Sequence, residues 1–312
     1  MNRLIAIVGP TAVGKTNAGI DLAKHLGSDI ISGDSMLVYR DCNIGTAKPT
    51  IAERQGVQHH LVDILDADQE YTVVDFQQQA SALIDTMNKN GQIPIIVGGT
   101  GLYLRALLEG YRFHTATINE QLRQELRRLA VQHGSLHLHA MLCDISPERA
   151  AAIHPNDLKR IIRSLEIYLS PKTPSLDEPE YSTGNVIFDA LVIGLRCNRS
   201  LLYDKINQRV HLMIQAGLLD EVRHLVNRGC SIDHQAMQGI GYKEVIEHIQ
   251  GKVDLETAIE NIKMATRRFA KRQLTWFRKM PYIHWIDTDN FASHDKMMAY
   301  IYSLMAGKFL TR

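Results

Sequence analysis

Apolar positions along the chain switch between two periods, and the switches mark out the elements. Residues 3–8, RLIAIV, form a short, nearly unbroken apolar run, the mark of a strand buried on both faces. A glycine-bearing loop follows, and the spacing then predicts a helix from about Lys15 to Leu26. SDIISGDS reads as a second strand, bounded by Gly27 and by Gly33-Asp34. VVDFQQQASALIDTMNKNG has helical spacing at Val74, Leu83, Ile84 and Met87 and stops at Gly91. QIPIIVGGTG is a third apolar strand ending in a glycine turn, and GLYLRALLEG opens another helix. Strands and helices in this order predict an α/β fold, a parallel sheet with helices on both faces.

From about residue 113 the pattern changes. INEQLRQELRRLAVQHG is a charged amphipathic helix, and DISPERAAAIHPNDLKRIIRSLEIYLS predicts two more, the second capped by Asn156 or Asp157. PKTPSLDEPEYSTGN is polar and proline-rich and reads as a mobile loop. Residues 113–185 are therefore expected to form a helical insertion domain, dividing a core into a first part, 1–112, and a second, 186–312. VIFDALVIGL returns as a core strand, and the remainder is mostly helical with IHWID as a late strand.

Composition narrows the class. The chain has 312 residues, 45% hydrophobic and 22% charged, which suits one large domain or a core with an insertion. No apolar run approaches the ~18 residues of a membrane span. The strand pattern begins by Leu4, without a signal-peptide layout. Cys42, Cys143, Cys197 and Cys230 are scattered and belong to no zinc-type cluster or disulfide framework. A cytoplasmic protein, without a membrane partner and acting as a monomer, is expected. The formal net charge is only +1, so a nucleic-acid partner would have to meet a local basic patch.

Gly9-Pro10-Thr11-Ala12-Val13-Gly14-Lys15-Thr16 matches GxxxxGK[ST] between a predicted strand and helix, where such a loop must sit to hold phosphates. Its glycines let backbone N–H groups converge on anionic oxygens, and the helix N-terminus adds its positive end. Lys15 offers a point charge, and the Thr16 hydroxyl is placed to ligate Mg²⁺. The fold expected is thus P-loop NTPase-like. The loop alone does not tell what carries the phosphates. PIIVGG ends in Gly98-Gly99-Thr100 rather than in the aspartate of motor and switch NTPases. The acid at a strand end is Asp34, and ligands of open α/β sheets bind beyond the carboxyl ends of the strands. Asp34, Thr100 and the loop should share one crevice.

Local charge appears at residues 263–279, KMATRRFAKRQLTWFRK, which hold seven basic residues and no acid. At helical spacing Lys263, Arg267 and Lys271 share a face, opposite a stripe of Ile259, Ile262, Ala265, Phe269 and Trp276. Lys159, Arg160 and Arg163 form a second basic set, with Arg123 on the preceding helix. His59-His60 and the other histidines have no metal-like partners and read as structural or surface groups.

In these segments the sequence resembles the tRNA dimethylallyltransferases, also called tRNA isopentenyltransferases. GPTAVGKT, DSMLVYRDCNIGTAKPT, HHLVDILDADQEYTVVDFQQQA, GGTGLYLRALLEG, IHPNDLKRIIRSLEIY, INQRVHLMIQAGLLDEV, GIGYKEV and RRFAKRQLTWFRK run in family order over nearly the whole chain. Val13 stands where serine is usual and Leu37 where glutamine is common. The zinc-finger tail of some eukaryotic members is not found, which points to the bacterial type.

The resemblance implies a prenyl transfer from dimethylallyl diphosphate to the exocyclic N6 of the adenosine just 3′ of the anticodon. It implies Asp34 as general base, Thr100 near the bridging oxygen, Arg209 on the diphosphate, and Lys15 with Mg²⁺ on Thr16 for the leaving group. It also implies tRNA contacts, to the anticodon stem-loop, from Asp34, Ser35, Met36, Leu37 and Thr100. Further contacts are implied from Arg123, Lys159, Arg160 and Arg163 on the insertion. The last are Gln238, Tyr242 (equally readable as core) and Lys243, and Lys271, Arg272, Gln273, Trp276 and Arg278. Two other classes fit the loop: a P-loop small-molecule kinase with the insertion as a lid, and a non-catalytic RNA-binding protein.

Overall fold

The apolar run at the start of the chain becomes β1 (Arg3–Val8), and its side chains explain the layering. Leu4, Ala6 and Val8 enter one buried cluster, Ile5 and Ile7 another, so the strand is covered on both faces. The computed structural model describes residues 1–113, 119–169 and 185–309. The proline-rich loop expected over 171–185 lies outside the described residues except for Asn185. The chain divides into two compact units, one of Met1–Tyr111 with Ser182–Arg312 and one of Arg112–Tyr181.

In the first unit β1 leads through the glycine loop into α1 (Lys15–Leu26). β2 (Ile30–Ser32), α2 (Ile51–Arg54), β3 (His59–His60), α3 (Val73–Lys89), β4 (Ile95–Gly98) and α4 (Gly101–Leu108) follow. In the second unit are α5 (Glu120–His133), α6 (Ser135–Ile145), α7 (Pro147–Ala151) and α8 (Leu158–Leu169). The first unit resumes with β5 (Asp189–Arg196), α9 (Arg199–Gln215), α10 (Leu218–Asn227), α11 (Tyr242–Ile249), α12 (Leu255–Phe277), β6 (His284–Asp287) and α13 (His294–Phe309). The strands form one six-stranded sheet in the order β3-β2-β4-β1-β5-β6, every pair parallel. The α/β expectation therefore holds.

Local chemistry starts the helices where they start. Thr72 and Asp75 cap α3 reciprocally: the Thr72 hydroxyl accepts the Asp75 N–H at 3.2 Å, and the Asp75 carboxylate accepts the Thr72 N–H at 2.9 Å. Asp254 caps α12 by accepting the Thr257 N–H at 2.7 Å. In the second unit Asp157, not Asn156, caps α8 through the Arg160 N–H at 3.3 Å. That unit has its own core of Leu126, Leu138, Leu142, Ile161 and Leu165.

Three elements escape the sequence pattern. β3 is two histidines long, too short to show a period, and is held by the sheet and by His60 Nε2 against Asp29 Oδ2 at 2.9 Å. α2 is a four-residue turn closed by a Thr50–Glu53 capping box. In α6, SLHLHAMLCDI, histidines interleave with the leucines and blur the helical stripe. Among the described residues no helix is long and apolar enough to cross a membrane.

Candidate active site

The site forms where β1, β2 and β4 end together. β4 lies between the other two in parallel register, so their carboxyl ends open on the same edge. The ends of β2 and β4 approach unusually closely, because a Cβ on Gly98 would lie 2.3 Å from the Gly33 carbonyl oxygen. The Gly33 N–H donates to Val97 and its carbonyl accepts from Thr100. Glycine is needed at position 98, and the consequence is that Asp34 and Thr100 emerge side by side. Gly9 opens the phosphate loop at φ +146, with no room for a Cβ against the Leu195 carbonyl at 2.4 Å.

The Thr100 hydroxyl does not cap α4. It accepts the Ser35 N–H at 3.0 Å and donates to Ser35 Oγ at 3.3 Å, tying the segment after β2 to the turn after β4. Asp34 Oδ1 accepts the Met36 N–H at 2.9 Å, which fixes the carboxylate against its own loop. Burial raises the Asp34 pKa, opposed by that N–H, by Lys15 and by the Leu37 N–H. Burial also lowers Lys15 to about 7, with Asp34 opposing the drop and Arg209 adding to it. An acid pushed up and a lysine pushed down within electrostatic reach of each other are the mark of a reactive pocket. Lys15 Nζ donates to the Pro10 carbonyl at 2.7 Å, which holds the side chain against its own loop.

Arg209 projects from α9 and donates to Thr11 Oγ1 at 3.4 Å, so it joins the loop directly. Burial holds its guanidinium below the usual value, with Glu53 opposing. A cavity of about 440 Å³ adjoins the loop at Ala12 and Arg209 and is also lined by Lys48, Glu53 and Lys205. Lys205 lies four residues before Arg209, one helical turn away on the same face of α9, a spacing visible in the sequence. Thr16 is exposed at the start of α1. Among the described residues no three or more His, Cys, Asp or Glu side chains gather to hold a metal. A metal here would take most of its oxygens from a phosphate group bound in the loop, and the Thr16 hydroxyl fits that limited share.

The fold thus brings together Asp34, Ser35, Thr100, Lys15, Thr11 and Arg209. The remaining candidates divide. Lys271, Arg272 and Arg278 are exposed along α12 and just beyond it, with Arg268 and Lys279. Of these, Arg272 lies over the Phe269 ring at 5.9 Å. Lys263 and Arg267 do not share their surface: Lys263 is 8% exposed and paired to Glu260, and Arg267 donates to Asn207 of α9 at 2.7 Å. α12 packs on two sides, and that turns the first half of its basic face inward. Gln238 and Lys243 are exposed, and Met36 and Leu37 half-buried.

Tyr242 and Gln273 lie inside the fold rather than on its surface. Tyr242 is fully buried; its hydroxyl donates to Glu221 Oε1 at 2.8 Å, and its ring fills the space beside Gly45. Glu221 in turn accepts the N–H groups of Asn43, Ile44 and Gly45 at 2.7–3.0 Å. Tyr242→Phe is expected to cost about 1–2 kcal/mol of stability, read from urea unfolding, with tRNA affinity unchanged. Gln273 is 5% exposed, with both polar atoms bonded to backbone. Trp276 is half-buried and packs against Gly101, where a Cβ would sit 2.2 Å from the indole.

In the second unit Lys159 and Arg160 are exposed, and Arg160 pairs with Asp157 at 3.3 Å. Arg123 and Arg163 converge instead on the buried Glu166 carboxylate, at 2.9 and 2.6 Å. Burial pushes Glu166 up, but bonds from Arg163, the Asn119 N–H and Arg123 outweigh it and hold the carboxyl below its usual range. The two guanidiniums are thereby fixed in direction while Arg163 stays partly open to solvent.

A parallel sheet, a phosphate loop after its first inner strand, and an acid after β2 rather than β4 define an enzyme of the phosphate-loop class that is not built as a motor or switch NTPase. Residues 37–280 match the family described as IPP transferase. The tRNA dimethylallyltransferase of Geobacillus thermodenitrificans is 46% identical over 98% of this chain and 97% of its own. That of an Exiguobacterium species is 48% identical over 91% and 90%. The crystal structure of the tRNA isopentenylpyrophosphate transferase of Bacillus halodurans superimposes with TM-score 0.74 at 44% identity, covering 99% of this chain and 97% of that one. A eukaryotic dimethylallyltransferase acting on tRNA gives TM-score 0.81 at 28% identity over 98% and 80%. The chain belongs to the tRNA dimethylallyltransferase (IPP transferase) family.

Proposed function

We propose that the protein transfers a dimethylallyl group from dimethylallyl diphosphate to the exocyclic N6 of the adenosine 3′-adjacent to the anticodon in tRNA, releasing diphosphate. One observation carries this reading. A half-buried carboxylate, Asp34, stands within electrostatic reach of the phosphate-loop lysine and next to Ser35, which bonds the Thr100 hydroxyl, where a phosphoryl-transfer site would carry its metal-organising acid elsewhere.

The chemistry needs both groups. The adenine amine is a weak nucleophile because its lone pair is delocalised into the ring. Asp34 accepts its proton as the N6–C1 bond forms, and general-base help of this kind supplies roughly 10²–10⁴-fold. The allylic C–O bond breaks, and its electron pair leaves on the diphosphate. Lys15, the loop N–H groups and Arg209 receive that charge in a buried setting, where fixed donors act most strongly. Mg²⁺ held by the diphosphate oxygens and Thr16 would neutralise further charge on the leaving group. Thr100, whose hydroxyl accepts the Ser35 N–H, takes the role of contact near the bridging oxygen. The adenosine must leave its stack to reach Asp34, as bases do in enzymes that act on their exocyclic atoms.

RNA affinity comes from the exposed basic residues of α12 and of the second unit, which allows a chain of net charge +1 to hold tRNA. In this reading the protein acts as a monomer and needs no membrane partner. Lys271→Ala and Arg272→Ala are each expected to weaken tRNA binding uniformly and to reduce the salt slope by about one, with kcat at saturating tRNA unchanged. Filter binding across a salt series checks this.

The direct test is incubation with dimethylallyl diphosphate and unmodified tRNA, followed by mass spectrometry of the nucleosides. A prenyl mass gain on one adenosine is expected. No gain on any tRNA with an adenosine at that position would overturn the proposal.

A further inference from the structure

α12 presents more than basic side chains. From its inward face Gln273 reaches into the gap between the two halves of the site. Its Oε1 accepts the Thr11 N–H at 2.9 Å, in the phosphate loop after β1. Its Nε2 donates to the Gly99 carbonyl at 2.9 Å, in the turn after β4 that leads into Thr100. Thr11 also receives the Arg209 guanidinium on its hydroxyl, so the loop is held from α12 and from α9 together. Glycine at position 99 makes the space: a Cβ there would lie 2.4 Å from Gln273 Nε2.

Both partners are backbone groups, and they need opposite things, an acceptor for one and a donor for the other. Of the side chains of this length only a carboxamide or a protonated carboxyl supplies both. The connection is also buried, and a missing partner there leaves an unsatisfied backbone group rather than one that water can serve.

We propose that Gln273 is a positioning residue for the transfer reaction. Its carboxamide locks the phosphate loop to the Thr100 turn and so sets the separation between the departing diphosphate and the acceptor side. The inference rests on the function proposed above. It gives α12 two tasks on two faces: phosphate attraction outside and site geometry inside.

The test uses Gln273→Met, which offers neither partner, and Gln273→Glu, which as a carboxylate accepts from Thr11 but faces the Gly99 carbonyl with no proton. Steady-state kinetics with tRNA and dimethylallyl diphosphate should show a fall in kcat for Gln273→Met, up to about 10²-fold for a displacement near 1 Å, with the KM for tRNA nearly unchanged. For Gln273→Glu the ratio of kcat to wild type should rise as pH falls, because the protonated carboxyl regains the donor. Gln273→Met adds no charge near Asp34 and Lys15, so its ratio should stay flat with pH and serves as the control. A Gln273→Met enzyme with wild-type kcat and a raised KM for tRNA would overturn the proposal and make Gln273 an RNA contact. A Gln273→Glu ratio independent of pH would overturn it too. Loss of fold is excluded by thermal melting and tRNA retention on filters. Wild-type turnover in the same assay separates the two failures: if wild type transfers no prenyl group, the function is wrong; if it does and Gln273→Met is unimpaired, only the positioning role is.

Discussion

Asp34→Asn is expected to lower kcat by about 10²–10⁴-fold while tRNA and donor binding stay near wild type. Asparagine keeps an oxygen to accept the Met36 N–H, so the loop that carries the residue keeps its anchor. What is lost is the capacity to take a proton. Single-turnover rates at saturating substrates measure that loss apart from binding. A rate within a few-fold of wild type would remove Asp34 as the base. The direction of the pH profile follows from the same burial. The Asp34 pKa is raised, so activity rises with pH as the carboxyl ionises, and the rising limb lies above the range of an ordinary aspartate.

Lys15→Ala should cost about 10²–10³-fold in kcat, the usual loss for one fixed donor on a developing anion. Lys15 also sets the other limb of the pH profile. Its pKa in the free protein is lowered to about 7, chiefly by burial. The ammonium is the form that receives the diphosphate, so kcat/KM for the donor should fall as pH rises through about 7. With the diphosphate in place, its negative charge favours the ammonium, and the falling limb of kcat should move to higher pH. Measuring both profiles for wild type and for Lys15→Arg checks the assignment, because a guanidinium stays charged and should abolish the falling limb. A falling limb that persists unchanged in Lys15→Arg would assign it to another group.

The parallel sheet was legible because its inner strands are apolar on both faces, and Leu4 to Val8 divide between two cores as such a run requires. The phosphate loop was legible because its glycines and lysine keep a fixed spacing. Even Asp34 was visible as an acid at a strand end, where ligands of open α/β sheets bind. The α12 charge pattern was legible only in part. Its basic run shows in the sequence, but which cations face solvent depends on α9, where Asn207 draws Arg267 inward.

The sequence by itself determined the order of the longer strands and of most helices, the phosphate loop and the chemical types available at the site, since these depend on residues near one another in the chain. Tertiary structure decided the rest. It placed Asp34 beside Thr100 through a glycine contact between β2 and β4, and it turned Tyr242 into a buried prop for Glu221. It also carried Gln273 across 262 residues of chain to the Thr11 N–H. Burial and long-range hydrogen bonding assign these roles, and both depend on which surfaces meet once the helices pack, a property no local spacing encodes.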